Sequence, residues 1–348
     1  MPFARGGSHD ALAPTLRSEL VLLSPPGLEL HVALSQPERI EVTRAQDTAG
    51  RSVQRFVVKD LPRPASETAM PRRSELAPRV DVSTYADWQA FATWWWSFIE
   101  KEFQSSPALS AKVLELTRGL ATEREKIQAL VRFCGQEIRY NSWPFGTHGY
   151  EPFSAPVIFE RRFGDCKDKS ILLCQMLSEI GVHAHPVLIK ADTFRPVETL
   201  DAAMVEHFNH CIAYAPATSE RPGLYLDCTA DKNPLDSLRY DDQGARVLHV
   251  DGGQASLHDI PYAPPAENQL VRRYDVKLDA QGDGDESLLL LQPAITSAPA
   301  AQASHFQFFI LLFLHLSRNP FDRWRKSTFA LTTSNDTGIQ HQNPHGIE

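Results

Sequence analysis

Cys166 is the residue whose setting in this sequence best suits a nucleophile. It follows Asp165, a candidate capping residue, at the predicted first turn of a helix. Helix N-termini and neighbouring cations, here Lys167 and Lys169, favour the thiolate, which is the nucleophilic form of cysteine. The backbone amide of a residue at a helix start can also donate to an oxyanion that forms on a substrate.

His210 and Asp227 could complete the machinery that a cysteine nucleophile needs. His210 is predicted to lie within a strand, in the run HFNHCIAYA, and Asp227 in the next strand, in the run LYLDCTAD. Adjacent antiparallel strands can bring the two side chains together. A thiolate–imidazole pair needs a third group that orients the ring, often a carboxylate. The alternative is a buried cysteine with two unrelated strand residues.

The N-terminal third of the chain is predicted to be rich in β-strands. Short runs of Val, Leu and Ile between residues 18 and 60 alternate partly with polar residues, which is typical of strands. Residues 61–80 contain four prolines and predict a linker or an extended segment. A helix is predicted from Ser83 or Thr84, and its run of Trp94, Trp95 and Trp96 is expected to pack in the core.

The middle of the chain predicts alternating helices and strands. Thr122 and Glu125 form a candidate capping box for one helix, on which Cys134 is expected to be buried. Asp168 and Lys169 are expected either to orient the Cys166 helix or to lie on a solvated face of that helix. The remaining predicted elements are a helix at 166–180, strands at 182–189, 207–214 and 223–228, and a β pair at 265–292.

Three sequence runs carry a resemblance to a known family. RRFGDCKDKSILLCQMLSEIGVHAHPVLI, HFNHCIAYA and LYLDCTAD resemble the bacterial transglutaminase-like superfamily of papain-fold cysteine enzymes. The subgroup that this chain resembles consists of envelope proteins with an N-terminal β domain, and the resemblance covers roughly residues 120–235. It implies that Cys166 is the nucleophile, His210 the base and Asp227 the acid. Cys228 stands where the family more often has proline.

The resemblance also implies the fold and domain organisation. We expect an α+β protein with a papain-like transglutaminase core in which a helix carries the cysteine and an antiparallel sheet carries the histidine and the aspartate. The predicted division is a shortened N-terminal β-rich domain (1–82), connecting helices (83–120), the core (121–260) and a truncated C-terminal β region with a tail (261–348).

The implied activity is acyl transfer on peptide or protein amide bonds through a thioester. We expect hydrolysis; the alternatives are transamidation of protein glutamines and a non-catalytic module that binds peptide or protein. The candidates for a second oxyanion donor are Trp143, His148 and Tyr150.

Composition and motif searches exclude several other classes. The net charge is −8, with 35 basic and 43 acidic residues, so nucleic acid is not an expected partner. The apolar run at 308–314 is too short to span a bilayer. No secretory signal is visible at the N-terminus, although the resemblance suggests the cell envelope.

No cofactor or metal is expected. His183 and His185 could suggest zinc together with His207, Cys211 or Cys228, but no CxxC or HExxH pattern supports such a site. No acidic calcium loop is evident either.

Overall fold

The computed structural model describes residues 4–8, 14–63, 65, 67–68, 70–71, 73–142, 146–195, 199–230, 234–235 and 237–266. The predicted β pair at 265–292 lies outside these residues apart from its first two positions, and the apolar run at 308–314 lies wholly outside them.

The described residues form thirteen strands and six α-helices. The strands are β1 (Ala4–Ser8), β2 (Thr15–Ser24), β3 (His31–Ser35), β4 (Glu41–Gln46), β5 (Ser52–Leu61), β6 (Arg79–Ser83), β7 (Arg139–Tyr140), β8 (Phe163–Gly164), β9 (His185–Ile189), β10 (His210–Ala215), β11 (Leu224–Leu226), β12 (Arg246–Asp251) and β13 (Gln254–Asp259). The helices are α1 (Arg73–Leu76), α2 (Trp88–Ile99), α3 (Pro107–Thr117), α4 (Glu123–Gln136), α5 (Ala155–Arg161) and α6 (Cys166–Ser178). Short 3-10 turns lie at Pro37–Arg39, Glu100–Glu102, Gly146–Gly149 and Val205–His207.

Two antiparallel sheets occupy the N-terminal part of the chain. One has the strand order β2-β5-β4 and the other β1-β6-β3. The strands predicted between residues 18 and 60 are therefore confirmed. Apolar side chains of both sheets, including Phe56, Val58, Val80 and Val82, form one buried cluster. This shared core is what holds the two sheets together.

The prediction that Ser83 or Thr84 caps the first long helix was wrong. Ser83 ends β6, and its hydroxyl donates a hydrogen bond to the Ala203 carbonyl at 2.7 Å. The residue that caps α2 is Asp87, whose carboxylate accepts from the Ala90 amide at 2.8 Å. Both serine and aspartate are good caps, and pairing of β6 with β1 and β3 decided between them.

The second half of the chain forms a five-stranded antiparallel sheet in the order β11-β10-β9-β12-β13. In its registers His210 pairs with Ile189, and Ala213 pairs with Leu226. The predicted strands in this region are confirmed in type, but β9 and β10 begin three residues later than predicted. The α6 helix packs against β9 and β10, which places its first turn beside the start of β10.

The aromatic run on α2 packs in the core, as predicted. Trp95 is buried and its indole donates to the Tyr150 carbonyl at 3.0 Å. Trp88 donates to the Leu200 carbonyl at 2.8 Å. Trp94 and Trp96 pack against the same cluster, which joins α2 to the five-stranded sheet.

The capping box of α4 is confirmed. The Thr122 side chain accepts from the Glu125 amide, and the Glu125 carboxylate accepts from the Thr122 amide. Cys134 on this helix is fully buried. The described chain is thus a mixed α/β structure with antiparallel sheets. None of its described helices is long and apolar enough to cross a membrane.

Candidate active site

Cys166 is the first residue of α6, as predicted. Asp165 caps this helix by accepting from the Asp168 amide at 3.2 Å, and Asp168 accepts in return from the Asp165 amide at 3.2 Å. This reciprocal capping box fixes the backbone on both sides of the thiol. The Cys166 amide lies in the first helical turn, whose amides have no partner within the helix.

Asp168 anchors the segments around the nucleophile. It is almost fully buried, accepts from the Phe153 amide at 2.9 Å and pairs with the Arg161 guanidinium at 2.6 Å. Burial and the nearby charge of Asp165 raise the pKa of Asp168, although Arg161 and Phe153 counter them. The close approach of Asp168 requires a glycine at position 164, because a Cβ there would lie 2.6 Å from the Asp168 Cβ.

Lys169 and Lys167 are buried rather than solvated. Lys169 donates to the Ile138 carbonyl at 2.8 Å, just past the end of α4. Lys167 pairs with Asp165. Of the two alternatives for Asp168 and Lys169, the contacts favour orientation of the helix. Both lysines therefore have partners of their own, and His210 is a basic group that interacts with Cys166.

His210 stands at the start of β10, beside the first turn of α6. Its Nε2 lies 3.3 Å from Asp227 Oδ2, and its ring interacts electrostatically with the Cys166 side chain. Burial alone would lower the pKa of His210, but its interactions with Asp227 and Cys166 and their negative charges raise it to about 10.

Asp227 directly follows β11 rather than lying within it. It is buried, and its Oδ1 accepts from the Thr229 amide at 2.8 Å and the Thr229 hydroxyl at 2.7 Å. Burial alone would raise the pKa of Asp227, but bonding to His210 and Thr229 lowers it to about 2. With these pKa values, Asp227 is a carboxylate and His210 an imidazolium near neutral pH.

Tyr140 is a residue of this site that the sequence did not reveal. It lies on β7, which pairs in parallel with β8 and places Tyr140 opposite Gly164. Its side chain interacts with that of Cys166, and burial with the charges of Cys166 and Asp165 raises the pKa of Tyr140 to about 12. A protonated phenol beside the sulfur is a hydrogen-bond donor.

The three predicted oxyanion donors have other partners or lie outside the described residues. Trp143 is outside them. His148 stacks on Phe153 with ring centres 3.8 Å apart, and its Nδ1 lies 3.1 Å from the Glu151 carbonyl. Tyr150 contacts α2 through its carbonyl and its ring. Tyr140 is the better-placed candidate because it contacts Cys166.

The other four cysteines differ from Cys166 in exposure. Cys134, Cys174, Cys211 and Cys228 are all buried and reduced, whereas Cys166 is partly accessible. Burial raises the pKa of each buried thiol, that of Cys134 to about 12. Cys166 is therefore the thiol that a reagent from solution reaches.

Comparisons with known proteins show that this chain shares its fold with a solved structure. A crystal structure from Parabacteroides distasonis, described as "a putative protease", superposes with a TM-score of 0.58 at 16% identity, covering 76% of this chain and 48% of that one. This chain thus matches about half the length of that protein. A "putative cysteine protease" from Cytophaga hutchinsonii aligns at 12% identity with a TM-score of 0.29, over 66% of this chain and 79% of that one. No protein-family model and no curated protein matches this chain.

Asp242 is a second carboxyl group beside the pair of His210 and Asp227. It is fully buried, neither of its oxygens has a hydrogen-bond partner, and it lies within 4.8 Å of both residues. Burial and the charge of Asp227 raise the pKa of Asp242 to about 7. The sequence contains no signal for it, because Asp242 lies in a loop between β11 and β12.

Replacing Asp242 with Asn should change how stability depends on pH. The folded-state pKa of about 7 exceeds the ordinary value of 3.8, so the stabilising contribution is present below about pH 4 and lost as the pH rises through 7. Each pH unit in that window costs the wild type up to about 1.4 kcal/mol relative to Asp242→Asn. Urea unfolding at pH 4 to 8 measures the difference, with exposed Asp201→Asn as control. If stability changes with pH in the same way in wild type and Asp242→Asn, Asp242 does not have a raised pKa in the folded protein.

The structure does not bring His207 or Cys211 together with His183 and His185 as zinc ligands. His207 bonds through Nε2 to the Ala202 carbonyl at 3.0 Å, and Cys211 is buried between α2 and the sheet. His183 and His185 instead lie near Asp251.

Proposed function

We propose that this chain is a cysteine-dependent enzyme that cleaves amide bonds in peptides or proteins through a thioester. The single observation that carries the proposal is that His210 lies 3.3 Å from the Asp227 carboxylate and interacts with Cys166, the one partly accessible thiol, at the start of α6. Nucleophile, base and orienting carboxylate in this arrangement are what acyl transfer by a thiol requires. The fold shared with a "putative protease" is consistent with that chemistry.

The proposed first half-reaction forms the thioester. The Cys166 thiolate attacks the amide carbon, and the carbonyl oxygen becomes an oxyanion. In the proposed mechanism, the Cys166 amide in the first turn of α6 and the Tyr140 hydroxyl donate hydrogen bonds to that oxygen. When the tetrahedral intermediate collapses, the C–N bond breaks and the His210 imidazolium gives its proton to the departing nitrogen.

The proposed second half-reaction releases the acyl group. Neutral His210 takes a proton from water, the water oxygen attacks the thioester carbon, and the C–S bond breaks. The products are a carboxylic acid and the Cys166 thiolate beside the His210 imidazolium. Throughout, Asp227 holds the ring and stabilises its positive charge.

We also propose that residues 121–260 form a papain-like core, with 1–82 as an N-terminal β-rich domain and 83–120 as connecting helices. The five-stranded sheet with α6 on it supports this division. A member of the transglutaminase-like superfamily would have this organisation.

An assay with two readouts tests the activity. The full chain is incubated with unfolded casein and a fluorescent primary amine, and both peptide release and amine incorporation are measured, with Cys166→Ala as control. Peptide release that Cys166→Ala abolishes supports hydrolysis. Amine incorporation without peptide release would show transamidation. If neither product forms, the result contradicts catalysis on this substrate class and favours a binding module.

Tyr140→Phe should lower kcat about 10²-fold with little change in KM. Removing one donor to the oxyanion weakens an interaction that forms fully in the transition state. Steady-state kinetics measure the split between kcat and KM. Because the Tyr140 ring is half exposed, the variant keeps its packing. Tyr240→Phe, in which the altered residue is also exposed and faces Thr193, is the matched control. An unchanged kcat in Tyr140→Phe would remove the residue from the mechanism.

A further inference from the structure

A compact group of histidines lies at the far end of the five-stranded sheet from Cys166. His185 is the first residue of β9, whereas His210 pairs with the last residue of that strand. The two ends are about 13 Å apart at the usual rise of a strand. Nothing in the proposed mechanism uses this group.

Three potential ligand atoms converge there. Asp251 Oδ2 lies 3.0 Å from His183 Nε2 and 3.4 Å from His185 Nδ1. All three ligand atoms lie within 4.8 Å of one another. Two imidazole nitrogens and a carboxylate oxygen form a donor set that suits divalent transition metals.

The His185 Nδ1 atom is an independent observation that points to a ligand. The His185 side chain is only 6% exposed, and Nδ1 has no hydrogen-bond partner although it is directed toward Asp251. Buried ring nitrogens are normally hydrogen-bonded, so an orphaned one requires an explanation. A metal ion between Nδ1 and the carboxylate would satisfy it.

The residues behind His185 can fix its tautomer. His185 Nε2 lies 3.0 Å from His249 Nδ1, and His249 Nε2 lies 3.0 Å from the Tyr225 hydroxyl. If His185 Nε2–H donates to His249, and His249 Nε2–H donates to Tyr225, the lone pair of His185 Nδ1 faces Asp251. Metal-binding histidines usually have such a partner on their second nitrogen.

We propose that His183, His185 and Asp251 bind a divalent transition-metal ion, with Zn²⁺ as the expected occupant. The side chains of His183 and Asp251 are 63% and 44% exposed, so the ion could enter from solvent and retain water as a further ligand. Bound there, it would connect the segment before β9 to the end of β12. This departs from the expectation of no metal, because Asp251 lies 68 positions after His183 and no spacing motif joins them.

Zinc titration of the untagged full chain tests the site. Cys166→Ser is used as the background so that the candidate active-site thiol cannot hold the ion. We expect one equivalent of Zn²⁺ by isothermal titration calorimetry, and Co²⁺ in its place should give visible d–d bands. His183→Ala and Asp251→Asn should each weaken binding at least about tenfold.

His31→Gln is the matched control. His31 lies on β3, outside the five-stranded sheet that carries His185 and Asp251. Its replacement should leave the affinity unchanged. The proposal fails if no stoichiometric binding occurs, or if His31→Gln weakens binding as much as His183→Ala does. Because His183 is exposed, circular dichroism should show that its variant remains folded.

Discussion

Asp227→Asn should lower kcat for amide cleavage by about 10²–10⁴-fold, the range expected when a proton-transfer pair is disabled. The carboxylate lies 3.3 Å from His210 Nε2 and supplies the negative charge that keeps the ring protonated. An asparagine side chain keeps the shape and the bonds from Thr229 but carries no charge. The imidazolium beside Cys166 would lose its stabilising partner.

Steady-state kinetics at several pH values measure this effect. Asp259→Asn is the control, since Asp259 is an exposed carboxylate on the last strand of the same sheet. It should retain wild-type kcat. If Asp227→Asn also retained wild-type kcat at every pH, the carboxylate would have no part in the reaction, whatever the role of His210.

Asp168→Ala should destabilise the fold by about 3–5 kcal/mol, the usual cost of removing one partner of a buried ion pair. The substitution leaves the Arg161 guanidinium without its carboxylate and the amides of Phe153 and Asp165 without their acceptor. These groups surround the first turn of α6. Loss of stability should therefore be accompanied by loss of Cys166 reactivity.

Urea unfolding followed by tryptophan fluorescence gives the free energy of unfolding. Glu160→Ala, on the exposed face of the neighbouring α5, is the control and should change it by no more than about 0.5 kcal/mol. A loss below about 1 kcal/mol in Asp168→Ala would mean that the buried network contributes little to holding the nucleophile.

The features that could be predicted are those whose sequence signal lies within a few consecutive residues. The capping box of Thr122 and Glu125, and Asp165 ahead of Cys166, are complete within four residues, so their hydrogen bonds could be foreseen. The order of helix, strand and strand that brings Cys166, His210 and Asp227 together follows from adjacent strands of one antiparallel sheet.

Features that depend on distant parts of the chain could not be predicted. Ser83 ends a strand because β6 pairs with β1 and β3, which lie far from it in sequence. Tyr140 reaches Cys166 because a two-residue parallel pair places it opposite Gly164. Asp242 and Asp251 lie in a loop and at a strand end with no motif around them. In each case tertiary pairing, rather than local pattern, determines the partner.

The most direct test of the account is the pH dependence of iodoacetamide labelling at Cys166, resolved by mass spectrometry, in wild type and His210→Ala. With an imidazolium maintained beside the sulfur, wild-type Cys166 should label much faster at pH 6 than an ordinary cysteine, which is about 1% thiolate or less at that pH. His210→Ala should slow labelling at that pH about 10²-fold, while the four buried cysteines stay unlabelled in both. If Cys166 labels at the rate of an ordinary thiol and His210→Ala changes nothing, the proposed ion pair does not exist.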